Sequence, residues 1–246
     1  MNCLWIAAAL VMAASAEEKP NSPAVQEVFV ELGLSPDEMV LKAIPDKYKP
    51  DEVTAAMARK DPKKYPFRAV VVAAAETLKA ASQFQMMTEL SASKDFFARA
   101  KAVAAQQEPV AVLILTIEES LSELDIVAAQ LKTEKSPRWQ AHYHYLSARL
   151  KSENARVQEY NFMLGKVRTD TLVELDEKAG QNGWKLGAME KMQSSKSIRD
   201  LATQAAKQFE AIETDYPETP WAKLAERDRV RKAGLAWEPA KLEPKP

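Results

Sequence analysis

Cysteine, histidine and glycine are scarce in this chain, and each scarcity removes a class of chemistry. Cys3 is the only cysteine in 246 residues, which excludes an internal disulfide framework, a Cys-based metal or cluster site and a thiol nucleophile in the body of the chain. His142 and His144 are the only histidines. Two residues apart on a helix they point about 200° from each other, so one helix cannot chelate a metal with both. Neither has a glutamate three residues before it, and no H-E-x-x-H is present, so the di-metal bundle and zinc-helix signatures are both missing. An excess of one charge is lacking too: 34 basic and 35 acidic side chains are interleaved, leaving no basic field for a phosphate backbone, and nucleic acid is not an expected partner.

Gly180, Gly183 and Gly187 are three of only six glycines. Their loose resemblance to a phosphate loop lacks both the Gly-Lys-Ser/Thr terminus and a preceding strand, so turn chemistry is the expected cause. Ser194, Ser195 and Ser197 offer hydroxyls, but no G-x-S-x-G elbow or nearby histidine accompanies them. From these absences neither enzyme activity nor a cofactor or metal is expected.

The longest uncharged apolar run, Leu4 to Ala14, is followed by Ala14-Ser15-Ala16 and then Glu17-Glu18. That is the pattern of a secretory signal with an A-x-A cleavage site over residues 1–16. A bilayer span needs roughly 20 apolar residues, so no stable span is expected after cleavage. The protein is expected to be exported, to the periplasm or beyond the cell. Residues 17–23 read as a mobile polar leader.

The remainder reads as helix. Ala, Leu, Lys, Glu, Gln and Met dominate, and prolines punctuate the chain where helices start. Ser35-Pro36-Asp37-Glu38 and Lys49-Pro50-Asp51-Glu52 open the short segments Met39 to Ile44 and Val53 to Lys60. Alanine-rich helices follow from Phe67 to about Leu90 and from Lys94 to about Gln107. Then come two long apolar stripes. Val110, Ile114, Ile117, Leu121, Leu124, Ala128 and Leu131 step by four and three; Trp139, Tyr143, Leu146, Leu150, Val157, Tyr160 and Leu164 nearly do the same. Joined by Lys132 to Pro137, with Pro109 and Ser136-Pro137 as helix starts, they predict a long antiparallel hairpin over 109–167 inside a helical domain of 24–167. Residues 168–196 read as a Gly-containing linker, 197–237 as a C-terminal helical pair, and 238–246, with three prolines, as a disordered tail.

Within that pair, Phe209-Glu210-Ala211-Ile212-Glu213-Thr214-Asp215-Tyr216-Pro217-Glu218-Thr219-Pro220-Trp221-Ala222-Lys223-Leu224-Ala225 resembles the helix-turn-helix of tetratricopeptide-type repeats in exported bacterial proteins. Pro217 ends one helix, Thr219 caps the next, and Trp221 fills the wedge between them. The resemblance spans about 35 residues, one repeat length. Tyr160 to Asp170 also resembles a helix-end segment of uncharacterised exported bacterial helical proteins, a family that brings no assigned reaction.

Carboxylates on the hairpin, Glu118, Glu119, Glu123, Glu153 and Glu159, are expected on a solvated face. Glu153 is the exception, because it interrupts the second stripe; buried, it must snorkel, meet Arg or Lys, or mark a polar pocket. Trp184 and Trp237 stand in weakly periodic surroundings as docked loop residues or partner-binding anchors. The expected fold is all-α. The expected role is a non-catalytic exported scaffold binding a protein or a cell-envelope component, with a small-ligand or metal-binding bundle, its pocket near Glu153 and His144, as the competing class.

Overall fold

The computed structural model describes residues 45–92 and 96–243. The expected signal, leader, tail end and first proline-led helix start lie outside them in whole or part. The described chain is mainly helical, with one small sheet that the all-α reading does not contain.

Helix α1 (Ala55–Lys60) begins at Thr54, whose Oγ1 accepts the Met57 amide at 3.3 Å. Helix α2 (Pro66–Ser82) has proline in its first turn, where no amide is needed, and buries Phe67, Val71, Ala74, Ala75, Leu78 and Ala81 at helical spacing. Helix α3 (Phe96–Val127) and helix α4 (Pro137–Arg168) follow, joined by a 3-10 turn over Ala128–Lys132. Arg68 on α2 fastens this turn: its Nη2 and Nε donate to the Glu134 carboxylate at 2.8 and 3.0 Å, and Glu134 accepts the Ser136 amide at 2.9 Å. Ser136 holds the cap position without a hydrogen bond from its hydroxyl.

Pro109 does not start a helix, as its sequence position suggests; α3 runs through it without a break. Proline forfeits the amide bond to the carbonyl four residues back. That carbonyl belongs to Ala105, which is exposed like Pro109 itself, so water can satisfy it.

Helix α4 is the axis of the fold, with α2, α3 and the later elements α5, α6 and β3 packed on it. The whole second stripe, Trp139 to Leu164, is buried. Across the shared seam the Tyr143 hydroxyl donates to the Leu124 carbonyl at 3.4 Å, and Gln107 Nε2 donates to Asn161 at 3.1 Å. Opposite that seam a row of small residues, Ala141, Ala148 and Ala155, is also fully buried. Buried on nearly every side, α4 lacks the single apolar face of a surface helix.

The linker expected over 168–196 contains strand β2 (Gly183–Met189), and the tail expected from 238 loses its first three residues to strand β3 (Gly234–Ala240). With β1 (Glu89–Ser91) they form an antiparallel sheet in the order β1-β2-β3. Leu90 faces Trp184 and Leu186 faces Trp237 across the ladders. Pro239 is tolerated because β3 is an edge strand. Of the three clustered glycines only Gly180, at φ 76°, serves a turn. Gly183 is required by close approach, since a Cβ there would lie 2.5 Å from the Leu90 carbonyl oxygen.

Helix α5 (Lys196–Asp215) and helix α6 (Pro220–Arg229) complete the fold. The helical pair therefore ends at Arg229, not 237. Thr219 Oγ1 accepts the Ala222 amide at 3.3 Å, and Trp221 is fully buried.

Candidate functional site

Three places carry chemistry that packing alone does not require. The first is a polar centre between α4 and α6. Glu153, singled out because it breaks the stripe, is buried and paired on its own helix: Arg149 Nη1 donates to its Oε2 at 2.9 Å. Arg149 Nε lies 3.3 Å from Asp228 Oδ2, the same oxygen that accepts the Tyr145 hydroxyl at 2.7 Å. Arg227 Nε reaches the other oxygen of Asp228 at 3.3 Å. Arg156 and Arg231 flank Glu153 at 3.8 and 3.6 Å. Burial works against the Arg149 charge, but Glu153 and Asp228 hold its pKa above the ordinary value. Burial, and then Asp228, push the Tyr145 phenol well up. Burial, with Arg156 beside it, lowers Arg231.

The second is Glu159, expected on a solvated face and instead 0% exposed. Its Oε1 accepts the Gln193 amide at 2.7 Å and its Oε2 the Ser194 amide at 3.0 Å, with the Leu235 amide at 3.5 Å from Oε1. One carboxylate on α4 thus ties down the segment before α5 and the start of β3. Glu118, Glu119 and Glu123 are exposed, as expected.

The third surrounds His142. Its Nδ1 accepts the indole N–H of Trp221 at 3.0 Å, which places the proton of the neutral ring on Nε2. Among the described residues Nε2 is buried without a partner, as are Arg138 Nη2 and Ser194 Oγ. Burial, then the nearby Arg138, hold His142 well below its ordinary pKa; burial brings Arg138 to about 10. His144 lies on another face, against Tyr143 and Tyr216, and burial lowers its pKa.

Glu153 and His144, anticipated beside one pocket, stand well apart on α4. Nine residues of helix separate them by about 14 Å, and arginines occupy the Glu153 carboxylate. No group of three or more potential metal ligands occurs among the described residues. Trp184 and Trp237 are corrected as partner-binding anchors: both rings are buried, donating to the carbonyls of Val173 at 2.8 Å and Met163 at 3.1 Å. Ser195 and Ser197 hydrogen-bond each other at 2.8 Å.

Exposed large apolar side chains are scattered as Met57, Phe162, Val173, Met189 and Val230, and are most numerous on α3. Val112, Leu115 and Ile126 are 61%, 65% and 75% exposed. Beside Val112 a groove of about 600 Å³ opens between α2 and α3, lined by Ala80, Phe84, Pro109, Val112, Leu113 and Thr116 together with Gln83 and Glu108. Around it, Glu108, Glu118, Glu119, Glu123 and Asp125 make α3 acidic from residue 108 onward, with no basic residue on that stretch. Sequence reading missed this face because a coiled-coil seam accounts only for the inner side of a helix. The excess apolar residues Val112, Leu115 and Ile126, outside the stripe, were the available signal.

No protein-family model matches the chain, and no curated protein or solved structure does either. No described helix is long and apolar enough to cross a membrane.

Proposed function

We propose that the protein is a non-catalytic, exported helical scaffold that binds a partner protein through the outward face of α3. The observation that carries this reading is the exposed pair Val112 and Leu115 beside the groove at Phe84 and Pro109, with Ile126 exposed further along the same helix, whose opposite side is already in the core. Aliphatic side chains left exposed on the outer side of a packed helix, next to an apolar groove, mark a face left to cover. The acidic surroundings select the occupant: an amphipathic helical segment whose apolar side chains are flanked by Lys or Arg. They count equally against an anionic lipid surface, which attracts basic and repels acidic residues. In this reading α3 and α4 are the arms of an antiparallel hairpin, and α5 with α6 is a tetratricopeptide-like pair that braces it. Thr219 capping and Trp221 in the wedge support that likeness.

The test is titration of a fluorescent amphipathic peptide with a leucine ridge and lysine flanks against the wild type and a Val112→Lys, Leu115→Lys variant. Saturable binding by the wild type, lost in the variant and in a peptide with glutamate flanks, is expected. Equal binding of both peptides, or none, overturns the proposal.

A further inference from the structure

The centre around Glu153 holds more guanidinium than its carboxylates can satisfy. Asp228 is committed inside the fold, taking the Tyr145 hydroxyl, Arg149 Nε and Arg227 Nε. Glu153 takes its one hydrogen bond from Arg149. Arg156 and Arg231 stand 3.8 and 3.6 Å from it, beyond hydrogen-bond reach, and no acceptor for either occurs among the described residues. Among the described residues, Arg149, Arg156 and Arg231 all stand around the single charge of Glu153, and of the three only Arg149 also reaches Asp228. The two outer guanidiniums are neither buried nor free: their side chains are 28% and 38% exposed. Arg231 is disfavoured by burial and by its neighbours Arg156 and Arg149. Arg156 is on α4, and Arg231 lies just beyond α6. Two guanidiniums from separate elements, crowded at a rim with unspent donors, are a costly arrangement for packing and a suitable one for a tetrahedral dianion.

We propose that Arg156 and Arg231, backed by the Arg149–Glu153 pair, bind a phosphate group as its dianion, borne by a small phosphorylated molecule or by a phospholipid headgroup. A phosphomonoester carries close to two negative charges at neutral pH, one for each of the outer guanidiniums Arg156 and Arg231. Glu153 acts as the positioning residue: it holds the three guanidiniums together when the anion is absent. The site is separate from the α3 face and stands whether or not that face binds a partner.

The experiment uses the full chain. Calorimetric titration with inorganic phosphate, and the thermal midpoint in phosphate against sodium chloride at equal ionic strength, are measured for the wild type, Arg156→Gln, Arg231→Gln and the double variant. Co-sedimentation with phosphatidic acid vesicles, against phosphatidylcholine vesicles, forms the second arm. Lys178→Gln, at an exposed distant position, controls for net charge, and circular dichroism checks that each variant is folded. Saturable phosphate binding, weakened at least tenfold in the double variant and unchanged in Lys178→Gln, supports a small phosphorylated ligand. Vesicle binding alone, with the same dependence on Arg156 and Arg231, supports the headgroup. Absence of both, binding insensitive to the two arginines, or equal loss in Lys178→Gln overturns the proposal.

Discussion

Replacing Glu159 with alanine should cost about 3–6 kcal/mol of stability, although the side chain meets no solvent. Its carboxylate is fully buried and accepts two short backbone hydrogen bonds, 2.7 Å from Gln193 and 3.0 Å from Ser194, and a longer one of 3.5 Å from Leu235. Bonds to a charged group contribute roughly 1.5–3 kcal/mol each, and a buried donor stripped of its acceptor adds its own desolvation cost. Two such bonds, with the third counted as small, set the range. Glu159→Gln should cost less, about 2–3 kcal/mol, because the amide oxygen can accept one N–H while the amide nitrogen must face the other. Urea unfolding followed by far-ultraviolet circular dichroism measures the total. Amide hydrogen exchange over residues 190–197 locates it: Gln193 and Ser194 should be protected in the wild type and exchange quickly in the alanine variant, while α2 is unaffected. An alanine variant within 0.5 kcal/mol of wild type and with unchanged exchange would refute the assignment of Glu159 as the tie between α4, the segment before α5, and β3.

His142 sets an acid limit on stability. Its folded pKa lies below the ordinary 6.5 because of burial and then Arg138, so the unfolded chain binds the proton first as pH falls. Stability is level above that value and drops below it, by up to about 1.4 kcal/mol per pH unit from this residue. A smaller slope between pH 6.5 and 5 in His142→Gln checks this; an equal slope, or a wild type that gains stability on acidification, contradicts it. Trp139→Ala should cost about 3–5 kcal/mol, since the ring is buried in the core and cannot be replaced without a cavity; a near-zero change in chemical denaturation argues against that packing. Gly234→Ala should lower the thermal midpoint, because a Cβ there would sit 2.5 Å from the Lys191 carbonyl oxygen; an unchanged midpoint would mean that the strand end shifts freely. Pro109→Ala should stabilise by about 1–3 kcal/mol by restoring an amide to the exposed middle of α3; a loss of stability would show that the ring packs usefully in the groove.

Sequence alone determined that the chain is mainly helical, since helix signals are local, but it carried α2 to Leu90, where the helix ends at Ser82, and split α3 at Pro109. The three-and-four spacing of Trp139 to Leu164, the proline at the first position of α2, α4 and α6, and Thr219 before Pro220 all act within a few residues of themselves. Glu153 was legible for the same reason: a charge inside an apolar stripe contradicts its own surroundings. The sheet was decided by tertiary structure. Its strands are Glu89–Ser91, Gly183–Met189 and Gly234–Ala240; the first is only three residues long, the other two carry Gly183, Gly187, Gly234 and Pro239, which read as loop, and each is stabilised by partners far away in sequence. Glu159 stayed hidden because its partners are backbone amides, which have no sequence signature. The alanines at 141, 148 and 155, seven apart, were the one local hint that α4 has a second packed face. Arg231 and Asp228 reach Glu153 and Arg149 across more than seventy residues, so the surplus of guanidinium exists only once α6 has docked on α4. Local pattern sets which residues can be helical and which charges are out of place; only the packed fold decides which distant groups then have to share one small volume.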